Sequence, residues 1–266
     1  MPSTDSPAPV QIQSKIHYWQ RTLILILAGF AGILSALPLI PNLLDLAAES
    51  PPFPIPVIQA ISTLQSTIVL IAMVFIGAKM APKAGLGTPI VDAWLVGAWV
   101  QPPLRQILLS AIAGGILGGL ALVAFYQLYL PYLPATFVEN VKELMLPLSS
   151  RLLYGGITEE LLVRYGMMSF LVWLGVRLTQ KQGDGAQTVH YVVAILLSAV
   201  IFALGHLPVT ALLTPELTMP LVFYVMMGNS LFGLIAGYLY WRHGLESAML
   251  AHMLAHLVTV TLEGMF

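Results

Sequence analysis

The chain has 266 residues, of which 58% are hydrophobic and only 9% charged, whereas soluble globular domains carry about 25% charged residues. A formal net charge of -1 leaves no basic surface for nucleic acid and no acidic tail for a basic partner. With no cysteine there is no disulfide framework, no thiolate nucleophile and no cysteine metal site, so catalysis of any kind rests on Glu, Asp, His, Ser or Lys.

In chain order, the stretch "MPSTDSPAPVQIQSK" is rich in Pro and Ser and reads as the core of a disordered lead over residues 1–20, followed by a helical bundle over 21–266. Apolar runs of about 20 residues, the length that crosses a hydrocarbon core about 30 Å thick, fall at 22–44, 56–79, 106–130, 148–176, 188–208, 218–241 and 246–263. The predicted fold class is therefore all-α: a polytopic transmembrane helix bundle of about seven spans with short interfacial helices. Arg21 ahead of "TLILILAGFAGIL" and "SAL" also fits a cleavable signal peptide. The run continues to Ile40, however, and further spans follow in either case. Gly and Pro break residues 81–105, which read as an interfacial segment with Trp94 and Trp99 at headgroup level. "FVENVKELMLPLSS" reads as a short amphipathic helix leading into the fourth span.

The cations test this segmentation. Lys15, Arg21, Lys79, Lys83, Arg105, Arg177, Lys181 and Arg242 fall on one side of a seven-span arrangement, while Lys142 and Arg151 fall on the other and Arg164 lies inside a span. Cytoplasmic loops carry the excess of Lys and Arg, so the N-terminus is expected on the cytoplasmic side and the number of spans is odd. The localisation expected is an integral, multi-pass protein of a bacterial-type cell membrane or an organelle membrane, with the lipid bilayer as its first partner.

The fourth run contains "TEELLVRYG". One charge at a helix centre costs about 2.5 to 3.5 kcal/mol on insertion scales, so Glu159, Glu160 and Arg164 need compensation. Glu160 and Arg164 stand four residues apart in the favourable order for an intrahelical ion pair. Glu159 is turned about 100° away and lacks that partner. A carboxylate set between a neighbouring acid and a nearby guanidinium can accept and return a proton, as a general base must. The competing reading is a structural ion pair that glues helices together.

Of six histidines, His17, His190 and His243 lie near predicted span ends and read as interfacial. His206 lies in "FALGHLP", and His252 and His256 share a helix face in "LAHMLAHLV". Such a pair can bind a metal, orient a water or hydrogen-bond a neighbouring helix. Together Glu159, Glu160, Arg164, His206, His252 and His256 form a polar set on three spans, which is expected if those helices enclose a wet pocket. Asn229, Ser230, Gly228, Gly233 and Gly237 read as helix packing.

The ordered motifs "EELLVR", "FALGH" and "HMLAH", with "NSLFGLIAGYLYWRHGLESAMLAH" between the last two, resemble the CAAX prenyl protease and bacteriocin-processing (CPBP, Abi-type) intramembrane proteases over residues 148–258. The resemblance implies an intramembrane endopeptidase acting on a membrane-associated peptide, with Glu159 and His206 activating water, His252 and His256 stabilising the oxyanion, and Arg164 holding Glu160. A metalloprotease version makes Zn2+ the cofactor, with His206, His252, His256 and Glu159 as candidate ligands; no HExxH is present. The family places Asn or Asp where this chain has His256, and an imidazole cannot reproduce the amide geometry. A non-catalytic immunity or scaffold factor and a proton-coupled transporter are the alternatives, although the sequence lacks the paired discontinuous helices of transporters.

Overall fold

In a computed structural model of the chain, residues 15–47, 52–144, 146–180 and 185–263 are described, and every regular element among them is helical. Among the described residues, seven helices are long and apolar enough to cross a membrane. Span one is Lys15–Ala36, span two Ile55–Met80 and span three Leu104–Tyr129. Span four is Leu148–Thr179, span five Thr188–Leu204, span six Met219–His243 and span seven Leu245–Glu263. Span one begins inside the lead expected over 1–20, and residues 1–14 of that lead lie outside the described residues.

The first apolar run is not one helix to residue 44. Span one stops at Ala36, and a separate helix, Leu39–Leu46, follows a turn at Leu37 and Pro38. Proline has no N–H to donate and pushes the residue before it away from helical geometry. Span five breaks in a similar way. It ends at Leu204, His206 occupies the turn, and the short helix Leu207–Leu212 carries Pro208 in its first turn.

The glycines of "AGGILGGL" set the closest packing. A Cβ on Gly115 would lie 2.5 Å from Leu254 Cβ and 2.8 Å from the Ala251 carbonyl, and one on Gly119 would lie 2.7 Å from Val258 Cβ. Spans three and seven therefore meet through small residues, the arrangement that lets membrane helices approach closely when lipid supplies no hydrophobic drive between them. Gly115→Val should destabilise the bundle by about 1–3 kcal/mol, the usual cost of overpacking. Thermal unfolding in detergent checks this against Ile116→Val on the exposed face, which should leave the transition unmoved.

The antiparallel spans sort the connecting segments into two ends. At one end, the helix Pro89–Val96 is pinned between spans one and seven. Arg21 donates to Asp92 at 3.2 Å, and Glu246 Oε1 accepts the N–H groups of Ile90 and Val91 at 3.0 and 2.9 Å. Trp94 and Trp99 are 72% and 92% exposed there, as befits an interfacial segment. At the opposite end lie Leu39–Leu46, the amphipathic helix Ala135–Glu143 and Leu207–Leu212. Asn140 Nδ2 donates to the Leu213 carbonyl at 3.1 Å, and Ser150 donates to the Ser35 carbonyl.

Candidate active site

Span four is wound with wide i→i+5 hydrogen bonds over Arg151–Glu159 and Leu161–Met168, on either side of Glu160. Such π-helical winding is rare and recurs at functional sites. Thr158 anchors the stretch to span one by donating to the Gly29 carbonyl at 2.8 Å.

The expected pair forms. Arg164 Nη1 donates to Glu160 Oε1 at 3.1 Å with both side chains fully buried. Arg164 Nη2 donates to the Gly233 carbonyl at 3.1 Å. Its guanidinium carbon lies 4.9 Å from the centroid of the Phe202 ring, within cation–π range. Gly233 is thus more than packing: a Cβ there would crowd Ala199 at 2.9 Å and lie 3.4 Å from Arg164 Nη2.

Glu160 also binds span seven. His252 Nδ1 lies 2.8 Å from Glu160 Oε1, so one carboxylate oxygen joins span four to span seven while its neighbour Arg164 reaches span six. A deprotonated carboxylate only accepts, so His252 donates from Nδ1. Its Nε2 then carries a proton only in the imidazolium form. The His256 ring stacks on that of His252, with centroids 4.8 Å apart, and His256 Nε2 lies against span four where a Cβ on Gly155 would come within 2.6 Å.

Glu159 faces elsewhere. With His206 it lines a cavity of about 320 Å3, whose wall also includes Tyr154, Ser62, Thr63 and Ser66. The His206 ring is fixed by two contacts: Nδ1 lies 2.9 Å from the Phe202 carbonyl, and the ring packs edge-on against Phe202 with centroids 4.7 Å apart. That carbonyl belongs to the last turn of span five, where no intrahelical N–H is left to satisfy it. A carbonyl only accepts, so Nδ1 carries the proton and the neutral ring presents Nε2 as an acceptor.

The six candidates fall into two sets of contacts. Glu159 and His206 share the cavity. Glu160, Arg164 and His252 form a buried hydrogen-bonded group behind it, and His256 stacks on that group. Neither His252 nor His256 is among the residues lining the cavity. Phe202 touches both sets, its ring edge-on to His206 and to His252 with centroids 4.7 and 6.3 Å away. Ser62, Thr63, Ser66 and Tyr154 are the residues that sequence reasoning missed. The signal was present as hydroxyls at i, i+1 and i+4 within an apolar span, which share one helix face.

Among the described residues, no three or more His, Asp or Glu side chains are grouped to hold a metal ion. The candidate ligands His206, His252, His256 and Glu159 do not form one such group, although Nδ1 held on a protein acceptor, as in His206 and His252, leaves Nε2 in the usual metal-facing role. This donor set does not fit zinc as placed. A larger groove of about 440 Å3 lies between spans three and six, lined mainly by Gly114, Leu234, Ile235 and Leu239, and carries none of the six candidates.

Residues 142–258 match the family model described as "Type II CAAX prenyl endopeptidase Rce1-like". This segment is similar to the Rce1-like family. The Rce1-like segment begins in the helix Ala135–Glu143, takes in spans four to six and ends within span seven, so it contains all six candidates. No curated protein and no solved structure matches the chain. The Rce1-like match and the seven apolar helices make this an integral membrane protein and indicate a protease.

Proposed function

We propose that the protein is an intramembrane endopeptidase that hydrolyses a membrane-associated peptide with a water activated by Glu159. The observation that carries this reading is the division of labour between adjacent carboxylates. Glu160 is consumed by Arg164 and His252, whereas Glu159 is turned into a cavity whose wall includes the acceptor-presenting ring of His206.

The Glu159 carboxylate takes a proton from water, with His206 Nε2 accepting the second hydrogen bond that orients it. The hydroxide oxygen bonds to the peptide carbonyl carbon, and the carbonyl oxygen becomes an oxyanion. The proton held by Glu159 passes to the amide nitrogen as the C–N bond breaks, leaving a carboxylic acid and an amine, between which the acid's proton then moves to give carboxylate and ammonium. His252, held through Nδ1 by Glu160, is the partner we assign to the oxyanion, donating from Nε2 when the ring carries both protons. His256, stacked on His252 where the family has Asn or Asp, buttresses that ring. Phe202 packs against both His206 and His252, so the carbonyl oxygen that meets His252 lies beside its ring.

The test is processing of a membrane-extracted peptide library by protein purified in detergent, read as new peptide termini by mass spectrometry. Termini that appear with the wild-type chain and are absent with Glu159→Gln support the reading; identical products from both reject it and favour a non-catalytic scaffold. In the same assay, activity should survive chelation and metal analysis should find less than one zinc per chain. Stoichiometric zinc whose removal abolishes turnover would overturn the metal-free form.

A further inference from the structure

Span four carries two glycines in succession, Gly155 and Gly156, within its widely wound stretch, although glycine is a poor residue for a helix interior. We infer that Gly155 is a positioning residue for His252, acting through His256, and that positions 155 and 256 are a matched pair: an imidazole fits at 256 only because 155 has no side chain. What His252 does for a substrate rests on the peptidase reading above, whereas the pairing itself follows from packing alone.

The contact involves the far edge of the His256 ring. A Cβ on Gly155 would lie 2.6 Å from His256 Nε2 and 3.2 Å from its Cδ2. Non-bonded heavy atoms settle at about 3.5 Å or more, so an alanine at 155 requires that edge to retreat by about 1 Å.

Span seven cannot supply the retreat by moving away as a body. Against span four, a Cβ on Gly156 would lie 2.4 Å from Met253 Cγ and 3.4 Å from the Met253 backbone nitrogen. Against span three, a Cβ on Gly115 or Gly119 would lie 2.5 Å from Leu254 Cβ or 2.7 Å from Val258 Cβ. Span seven is therefore packed onto bare glycine by both neighbours, and a close-packed interior leaves no slack for a rigid shift. An alanine at 155 has to turn the His256 ring instead.

Turning that ring disturbs His252. The two imidazoles are nearly parallel, with 17° between their planes and 4.8 Å between centroids. Phe232 of span six touches the same His252 ring, with centroids 4.4 Å apart. Phe232 in turn rests on span three, where a Cβ on Gly118 would come within 3.1 Å of its Cδ2. His252 is thus held by contacts that run from Gly155 through His256 and from Gly118 through Phe232, while its Nδ1 is fixed on Glu160 Oε1 at 2.8 Å. Neither Gly155 nor His256 lines the cavity that holds Glu159 and His206, so an effect of position 155 on the chemistry passes through His252.

Asparagine at 256 supplies the converse. Its side chain ends at the atoms that correspond to Nδ1 and Cδ2 of the imidazole and lacks Cε1 and Nε2, so the closest contact with a Cβ at 155 disappears. Gly155→Ala is damaging beside His256 and tolerated beside an asparagine.

The test is a double-mutant cycle of Gly155→Ala, His256→Asn and both together, in protein purified in detergent. Gly155→Ala should lower the thermal transition, and the double variant should unfold at a higher temperature than Gly155→Ala. The gain in helix propensity from glycine to alanine is common to both backgrounds and cancels in the cycle. Histidine side-chain NMR should show the His252 Nδ1–H signal displaced in Gly155→Ala, and in the double variant at the position it has in His256→Asn. With a peptide cleaved in the library assay, Gly155→Ala should lower kcat by about 10–100-fold with KM little changed, as a misplacement on the order of 1 Å does. The double variant should regain the kcat of His256→Asn. Additive effects on unfolding, or a double variant no better than Gly155→Ala, overturn the matched pair. An undisplaced His252 signal or an unchanged kcat in Gly155→Ala overturns the positioning role. If Gly155→Ala does not accumulate, a double variant that folds supports the pair and one that also fails overturns it. Coupling in unfolding and NMR, with no peptide cut by the wild-type chain, upholds the pairing and counts against the peptidase reading itself.

Discussion

Glu159→Gln should lower turnover by roughly 10²–10⁴-fold, the contribution typical of a positioned general base, while leaving thermal stability in detergent close to that of the wild type. Glutamine keeps the shape of the side chain but loses the anionic oxygen that takes the proton from water. Glu159 lines the cavity and has none of the protein partners that Glu160 has, so the substitution leaves the buried ion pair intact. The split between activity and stability is the informative readout: chemistry is lost and the fold is kept. A Glu159→Gln protein that unfolds at a much lower temperature than wild type would assign the residue a structural role, and one that turns over normally would remove it from the mechanism.

The largest stability effect is expected at Arg164. The guanidinium donates to Glu160 Oε1 and the Gly233 carbonyl and lies over Phe202, tying span four to span six and to the ring that positions His206. Arg164→Met leaves the Glu160 carboxylate fully buried without its permanent cation, and removing one partner of a buried pair costs about 3–5 kcal/mol. The double variant Glu160→Gln/Arg164→Met removes the uncompensated charge as well, and should recover a large part of that loss, because a neutral amide in the same place still bonds to His252. Thermal unfolding of the two variants in detergent gives the comparison. A double variant less stable than Arg164→Met alone would show that the charge on Glu160 is not what the arginine compensates. Both variants should lose activity, since Glu160 also holds His252.

The identity of the helices, their number and the pairing of Glu160 with Arg164 were all legible in the chain, because each depends on local spacing. Apolar length sets a span, proline breaks one, and four residues of helix bring two side chains to the same face. The breaks at Pro38 and Pro208 could be read in the same way, although the first run invited a longer helix than the one that forms. The ordered motifs also pointed to the family that the match over residues 142–258 bears out.

Other features depended on how the spans pack. Local spacing shows that Glu159 and Glu160 point in different directions, but it does not say which meets an imidazole. His252 joins Glu160, and His206 joins Glu159 at the cavity, because spans seven and five approach span four from different sides. The hydroxyls of Ser62, Thr63 and Ser66 are unremarkable in a helix taken alone and acquire meaning only where span two flanks the cavity. The cation count is read from sequence, yet the cavity wall is completed by the short helices Leu39–Leu46 and Leu207–Leu212, contacts between residues far apart in the chain that no local pattern encodes.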